Sequence, residues 1–200
     1  MRQSRNVQVR KRTRLFDDKF KIDEIIVAHE KADGSMSRDY RRLIFERGDS
    51  AAVLILNVDK KCVVLVDQFK APTLGKGPGG GWLTETVAGI IERHETPEDT
   101  AIREAMEETG YEIRDLTLIS KFFSSPGGTS ECVYLYYCEV HNADKVGKGG
   151  GSEEEGEDIQ VREVKLAELF EGMKGNCFED PKIIIGAYWL AERLRSRRHA

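Results

Sequence analysis

A helix punctuated at both ends, set among strand-length apolar runs, is the feature that most restricts how this chain can fold. Thr96 suits an N-cap, Pro97 the first helical position, and Asp99, three residues after the cap, approximates a capping box. Gly110 directly follows Thr109 and is the residue best able to take a left-handed C-cap, so the spacing predicts a helix over 97–109. Around it, 51–58 and 62–69 are β-branched runs joined by Asp59-Lys60-Lys61, which predicts a central hairpin. Further strands are expected at 82–91 and 159–164, and at 116–123 and 131–140 on either side of Ser124-Ser125-Pro126-Gly127-Gly128.

Residues 19–45 read as one or two strands about the turn Ala32-Asp33-Gly34-Ser35, and 75–81 as a glycine-rich loop. A short helix is expected at 166–173. A terminal helix opens at Pro181, with Ile184, Ile185, Tyr188, Leu190 and Ala191 able to face a core. Segment 147–158, with five glycines and five carboxylates, is expected to be a loop that cannot pack on itself. Many strands with a central and a terminal helix predict an α+β protein built as an α/β/α sandwich with a mixed sheet. A small N-terminal antiparallel β subdomain over 1–48 precedes a catalytic domain over 49–200.

Composition narrows the function classes. With 31 basic and 35 acidic residues the net charge is −4, so a general affinity for nucleic acid is not expected. No apolar run reaches the ~18 residues of a membrane-spanning helix. The four cysteines show no C-x-x-C pair and no histidine at zinc spacing, which implies reduced, mostly buried thiols and a cytoplasmic location. The first 16 residues carry six basic side chains and no acid, consistent with a solvated arm or edge strand, or alternatively with a transit peptide.

The chemistry is concentrated in the central helix. At 100° per residue, Glu104, Glu107 and Glu108 share one face, with Cβ atoms ~5–6 Å apart, and no lysine lies on that stripe. Ile102, Ala105, Met106 and Thr109 fall on the opposite face, which is expected to pack on the sheet. Three crowded carboxylates repel, and a hard divalent cation such as Mg²⁺ or Mn²⁺ would relieve them. The carboxylate face is expected to point to solvent and metal, so that Glu108→Gln should cost little folding stability.

Gly89, Glu95, Arg103, Glu104, Glu107, Glu108 and Gly110 stand at a spacing that chance would produce on the order of once in 10⁸ starting points. The pattern resembles the Nudix box without a departure at any fixed position. The resemblance implies a pyrophosphatase with Mg²⁺ (Mn²⁺ possible) held by Glu104, Glu107, Glu108 and the carbonyl of Ala88. It pairs Arg103 with Glu95 in a structural role beside the catalytic groups. Glu85 reads either as an additional ligand or as an exposed strand carboxylate. For the general base, Glu157 is favoured, then Glu155 and Glu153.

Three further matches are similar to the ADP-ribose and GDP-mannose pyrophosphatase subfamily, enzymes of nucleoside diphosphate sugars. Pro126 lies sixteen residues after Gly110, Glu46-Arg47-Gly48-Asp49 resembles the entry to the first core strand, and Gln68-Phe69-Lys70 departs from Gln-Phe-Arg only at its third residue. Lysine there is a point charge where arginine is a bidentate fork. Arg47, Lys70, Pro126 and Phe45 are therefore the substrate-binding candidates, although Phe45 and Trp82 are more often core residues. The resemblance also implies a homodimer with exchanged N-terminal subdomains. Two other readings are a catalytically silent nucleotide-sugar binding domain, disfavoured by the intact carboxylate set, and a nucleoside triphosphate sanitising hydrolase, disfavoured by the Pro126 turn and the long N-terminal segment.

Overall fold

The computed structural model describes residues 5–152 and 156–197. Two compact units are formed, one by Met1–Asp49 with Phe123–Cys132, the other by Ser50–Phe122 with Val133–Ala200.

The first unit carries a three-stranded antiparallel sheet in the order β1-β2-β3, from β1 (Val7–Asp17), β2 (Lys21–His29) and β3 (Tyr40–Glu46). The basic arm is thus the 11-residue strand β1, a third strand where the apolar pattern of 19–45 signalled at most two. Its arginines are neutralised across the sheet. Arg12 Nε donates to Asp23 at 2.7 Å, Arg14 donates to the other oxygen of the same buried carboxylate, and Arg12 also meets Glu46 at 2.7 Å. Beyond β3, the Phe45 amide donates to the carbonyl of Gly128 at 2.8 Å and Ser130 Oγ donates to Glu46, so the turn following Pro126 belongs to this unit.

The second unit is a mixed sheet in the order β10-β5-β4-β9-β8, from β4 (Ser50–Asn57), β5 (Cys62–Phe69), β8 (Thr117–Phe123), β9 (Cys132–Val140) and β10 (Gln160–Lys165). β4 is buried along its whole length, because alternate residues face opposite layers. Ala51, Val53 and Ile55 pack toward α1 (Pro97–Glu104), while Leu54 and Leu56 pack toward α2 (Leu166–Lys174) and α3 (Pro181–Arg197). The α/β/α layering follows from that alternation. On α3 the buried stripe is Ile183, Gly186, Ala187 and Leu190; Tyr188 and Ala191, expected to face the core, are exposed, Tyr188 on the side away from this stripe and Ala191 at its flank.

β4 and β5 pair directly only from Ile55 to Asn57 against Cys62 to Val64. Past that point the two strands diverge, and the expected strand over 82–91 breaks in two to fill the gap. β6 (Trp82–Glu85) pairs with β5, β7 (Val87–Ile90) pairs with β4, and Thr86 is the junction. This split places Glu85 and Ala88 on either side of the junction. The four cysteines carry no disulfide; three are buried and Cys177 is exposed.

The capping box forms in full: Thr96 Oγ1 accepts from the Asp99 amide at 3.2 Å, and Asp99 Oδ2 accepts from the Thr96 amide at 3.0 Å. α1 continues as a π-helical turn, Ala105–Thr109, and ends at Gly110 with φ 73°. A Cβ on Gly110 would lie 2.2 Å from the carbonyl oxygen of Gly147. Gly110→Ala should therefore cost at least about 2 kcal/mol, through both the left-handed backbone and the clash, and lower Tm by roughly 4–8 °C. A calorimetric scan in which the variant melts with the wild type would remove this account of the C-cap.

Candidate active site

The π turn changes the angular spacing on which a regular helical wheel rests. Within it Glu108 is drawn inward, 2% exposed; on the regular helix before it Glu104 is 9% and Ile102 42% exposed. The expected division into a solvated carboxylate face and an apolar sheet-facing side therefore does not hold. Ala105 and Thr109 are buried, Met106 is half-buried, and of the three carboxylates only Glu107 stands in solvent.

Room for Glu104 comes from Gly89 on β7. A Cβ there would lie 1.6 Å from Glu104 Oε1 and 2.1 Å from its Cδ, a space no other residue leaves open. Ala88, one residue earlier, is paired opposite Ala52 of β4.

Arg103 holds the ridge together. It grips Glu95 bidentately, Nε to Oε1 at 2.7 Å and Nη2 to Oε2 at 3.0 Å, and Nη2 reaches the Ile90 carbonyl at 3.4 Å. Its Nη1 serves both Glu104, at 2.7 Å, and Glu107, at 3.1 Å. The guanidinium lowers the Glu95 carboxyl to about 2, and the bonds from Thr100 and the Glu92 amide add to this.

No such cation reaches Glu108. Its Oε2 is buried without a hydrogen-bond partner among the described residues. Burial raises its carboxyl well above the ordinary range, and the charges of Glu104, Glu157 and Glu85 add to that, opposed by Lys70. Glu104 is also raised, mainly by burial, with Arg103 working against the shift.

The loop after β9 is laid down on this helix end. Amides of Gly150 and Gly151 donate to the carbonyls of Glu108, at 2.9 Å, and Glu107, at 3.0 Å. Gly149, at φ 70°, would put a Cβ 2.4 Å from the Glu108 carbonyl oxygen. The glycine triplet of this loop, which was not expected to pack on itself, packs instead on the helix end: the missing side chains are what let the two backbones touch. Glu157 is fixed at its far side, accepting from the Ser152 amide at 3.1 Å and from Gln68 Nε2 at 3.4 Å. Glu153 and Glu155 lie outside the described residues.

Glu85 is neither an exposed strand carboxylate nor unpartnered: Lys70 lies 3.1 Å from Oε2 and Lys182 3.2 Å from Oε1. Lys182 and its partner Asp180 carry no sequence signal of a site role beyond the Asp-Pro that opens α3. Of the remaining candidates, Arg47, Phe45 and Pro126 belong to the first unit and Trp82, on β6, to the second. Arg47 pairs with Glu131 at 3.8 Å and lies over the Phe20 ring. Phe45 packs edge-on to Phe20 but stays 38% exposed, Trp82 is 43% exposed, and Pro126 sits in the turn. Neither aromatic is a core residue, because each lies on a sheet edge or face left open by its neighbours.

Among the described residues no three histidine, cysteine or acidic donors are gathered as a ready-made metal cage. The donor set nevertheless suits a hard cation: only carboxylate oxygens converge here, one of them buried without a partner, and Arg103 occupies the other two side chains.

The NUDIX domain model matches residues 46–184. A GDP-mannose pyrophosphatase of Cronobacter sakazakii is 34% identical over 182 residues, 91% of this chain and 93% of that protein. One of Escherichia coli O1:K1 / APEC is 34% identical over 171 residues, 86% and 87% of the two chains. The crystal structure of an ADP compounds hydrolase superposes with a TM-score of 0.71 at 18% identity, covering 98% of both chains, and shows the fold. The mixed sheet between helical layers is the Nudix fold, and the protein is an enzyme of the hydrolase type. The chain belongs to the Nudix family.

Two outcomes follow for the metal-free protein. The raised Glu108 carboxyl favours the fold below the ordinary carboxylate range, and that stability is lost as pH rises through its folded value. In EDTA, Glu108→Gln should therefore melt at or above the wild type at pH 8, contrary to the neutral effect expected of a solvated residue, while turnover with metal falls by orders of magnitude. A variant melting well below the wild type from pH 5 to 8 would show that the carboxylate is not strained. For Glu95 the sign is opposite. Its stabilising pair with Arg103 is fully present above the unfolded value of 4.5 and is lost as pH falls toward about 2, so acid unfolding of Glu95→Gln should be shallower across that window.

Proposed function

We propose that this enzyme hydrolyses the pyrophosphate bond of a nucleoside diphosphate sugar, releasing a nucleoside monophosphate and a sugar phosphate. The observation that carries the reading is the buried oxygen of Glu108, without a partner among the described residues, beside Glu104 and Glu107. The relatives named GDP-mannose pyrophosphatase, matching over most of the chain, support GDP-mannose as first candidate substrate, with ADP-ribose next.

Glu104, Glu107, Glu108 and the carbonyl of Ala88 would hold Mg²⁺, or Mn²⁺. The chemistry supplied by the bound ion is neutralisation of diphosphate charge and polarisation of the phosphorus under attack. The remaining work falls to side chains of this chain. Glu157, held by Ser152 and Gln68, accepts a proton from water as the water oxygen bonds to phosphorus. The bridging P–O bond breaks, and its electron pair leaves on the departing phosphate. Arg103, anchored on Glu95, orients the carboxylate ridge, and Lys70 supplies positive charge toward phosphate.

The first unit, including Arg47, Phe45 and Pro126, is proposed to contribute to nucleotide binding and to a homodimer with exchanged N-terminal subdomains. A cytoplasmic setting suits thiols that carry no disulfide. Among the described residues no helix is long and apolar enough to cross a membrane.

Incubating GDP-mannose, ADP-ribose, other nucleotide sugars and deoxynucleoside triphosphates with enzyme and Mg²⁺, with products resolved by chromatography, tests this directly. The expected result is a monophosphate and a sugar phosphate from at least one nucleotide sugar, abolished by EDTA. Cleavage of triphosphates alone, or tight binding of nucleotide sugar without product, would overturn it.

A further inference from the structure

α3 begins beside the site, and its first turn carries a linked set of charges that the box does not include. Asp180, 1% exposed, does three things with one carboxylate. Oδ1 accepts from the Lys182 amide at 3.0 Å, as an N-cap does, and from Lys182 Nζ at 2.8 Å. Oδ2 accepts from the amide of Thr86, the junction between β6 and β7, at 3.0 Å.

Lys182 Nζ then reaches Glu85 Oε1 at 3.2 Å, and Glu85 Oε2 reaches Lys70 at 3.1 Å. Exposure is least at one end of this chain of charges and greatest at the other. The side chains of Asp180, Lys182, Glu85 and Lys70 are 1%, 15%, 13% and 35% exposed, so it starts in the interior and opens at Lys70. Burying a lysine costs free energy unless its charge is paired, and this one is paired twice.

We propose that Lys182 is a positioning residue for diphosphate binding: locked on Asp180, it holds Glu85, and Glu85 in turn holds Lys70 beside the carboxylate ridge. This rests on the reading of the site as a diphosphate hydrolase and adds to it the means by which a flexible lysine is aimed. An ammonium on a four-carbon stem lacks the rigid fork of arginine, and a tether restricts it. Lys182 also balances Glu85. With Lys182 gone, the Glu85 charge would bind Lys70 alone and reduce what it offers to phosphate.

The test is a double-mutant cycle on the full chain, reading KM and kcat for GDP-mannose, the Kd of magnesium pyrophosphate by calorimetry, and Tm. Lys182→Met should raise both KM and Kd about tenfold with kcat changed less than about threefold. Glu85→Gln should do the same, and the double variant E85Q/K182M should be no weaker than E85Q, because Lys182 acts through Glu85.

Should K182M fold poorly with Asp180 left unpaired, D180N/K182M removes both buried charges while retaining a side-chain carbonyl for the cap. Pyrophosphate binding as tight as wild type in whichever variant folds, or effects of E85Q and K182M that multiply, would overturn the proposal. Wild-type protein that binds magnesium pyrophosphate yet cleaves no nucleotide sugar would overturn the functional reading alone, since the Kd ratios still decide the role of Lys182. Wild-type protein that binds no pyrophosphate would overturn both.

Discussion

Three like charges within about one turn of helix, two of them withdrawn from water, are the constraint around which the second unit is arranged. At ~4 Å and an effective dielectric of ~20, each pair of unit charges repels by roughly 4 kcal/mol, comparable to a large share of a domain's net stability. One guanidinium, fixed by Glu95, is shared between Glu104 and Glu107. Glu108 is left with a raised carboxyl and an oxygen lacking a partner among the described residues. The protein alone thus offsets part of the repulsion, and the remainder is what the proposed cation would offset.

Burying carboxylates near backbone also demands space, and the glycines supply it at particular points. Gly89 clears the volume that Glu104 fills, while Gly149 and Gly110 let the loop after β9 contact the end of the helix. The Gly150 and Gly151 amides then satisfy carbonyls that a helix C-terminus would otherwise leave to water. That seal helps to shield Glu108 and sets Glu157 near it. The burial of Glu108 and the placement of Glu157 come from the same close approach.

Features encoded by neighbouring residues were legible in the sequence. The Thr96 capping box, the Gly110 terminus and the alternating β4 and β5 runs each depend on local spacing, and each forms where expected. The box residues were legible as a group, but their exposure was not, because a regular helical wheel cannot anticipate a π turn that brings Glu108 inward. β1 was legible only as a basic arm or edge strand without bounds, because its arginines, balanced by acids on β2 and β3, give no sustained hydrophobic alternation; it forms an edge of the three-stranded sheet. Lys182 was invisible for a related reason: a lysine beside the apolar stripe of α3 reads as a solvated residue until Asp180 and Glu85 are seen to enclose it.

The split between β6 and β7 connects these levels. Because β4 and β5 diverge, one strand cannot pair with both along its length, and the chain must change partners at Thr86. A change of partner leaves a backbone amide without a ladder bond, and the Asp180 carboxylate accepts it. The same carboxylate caps α3, so the helix start is tied to the break in the sheet rather than merely resting on it. Glu85 precedes the break, and Ala88 and Gly89 follow it. A shift at Thr86 would therefore move the residue that holds Lys70 and the residue that makes room for Glu104 together, which makes the sheet break, rather than either helix alone, the element that fixes the geometry between Lys70 and the carboxylate ridge.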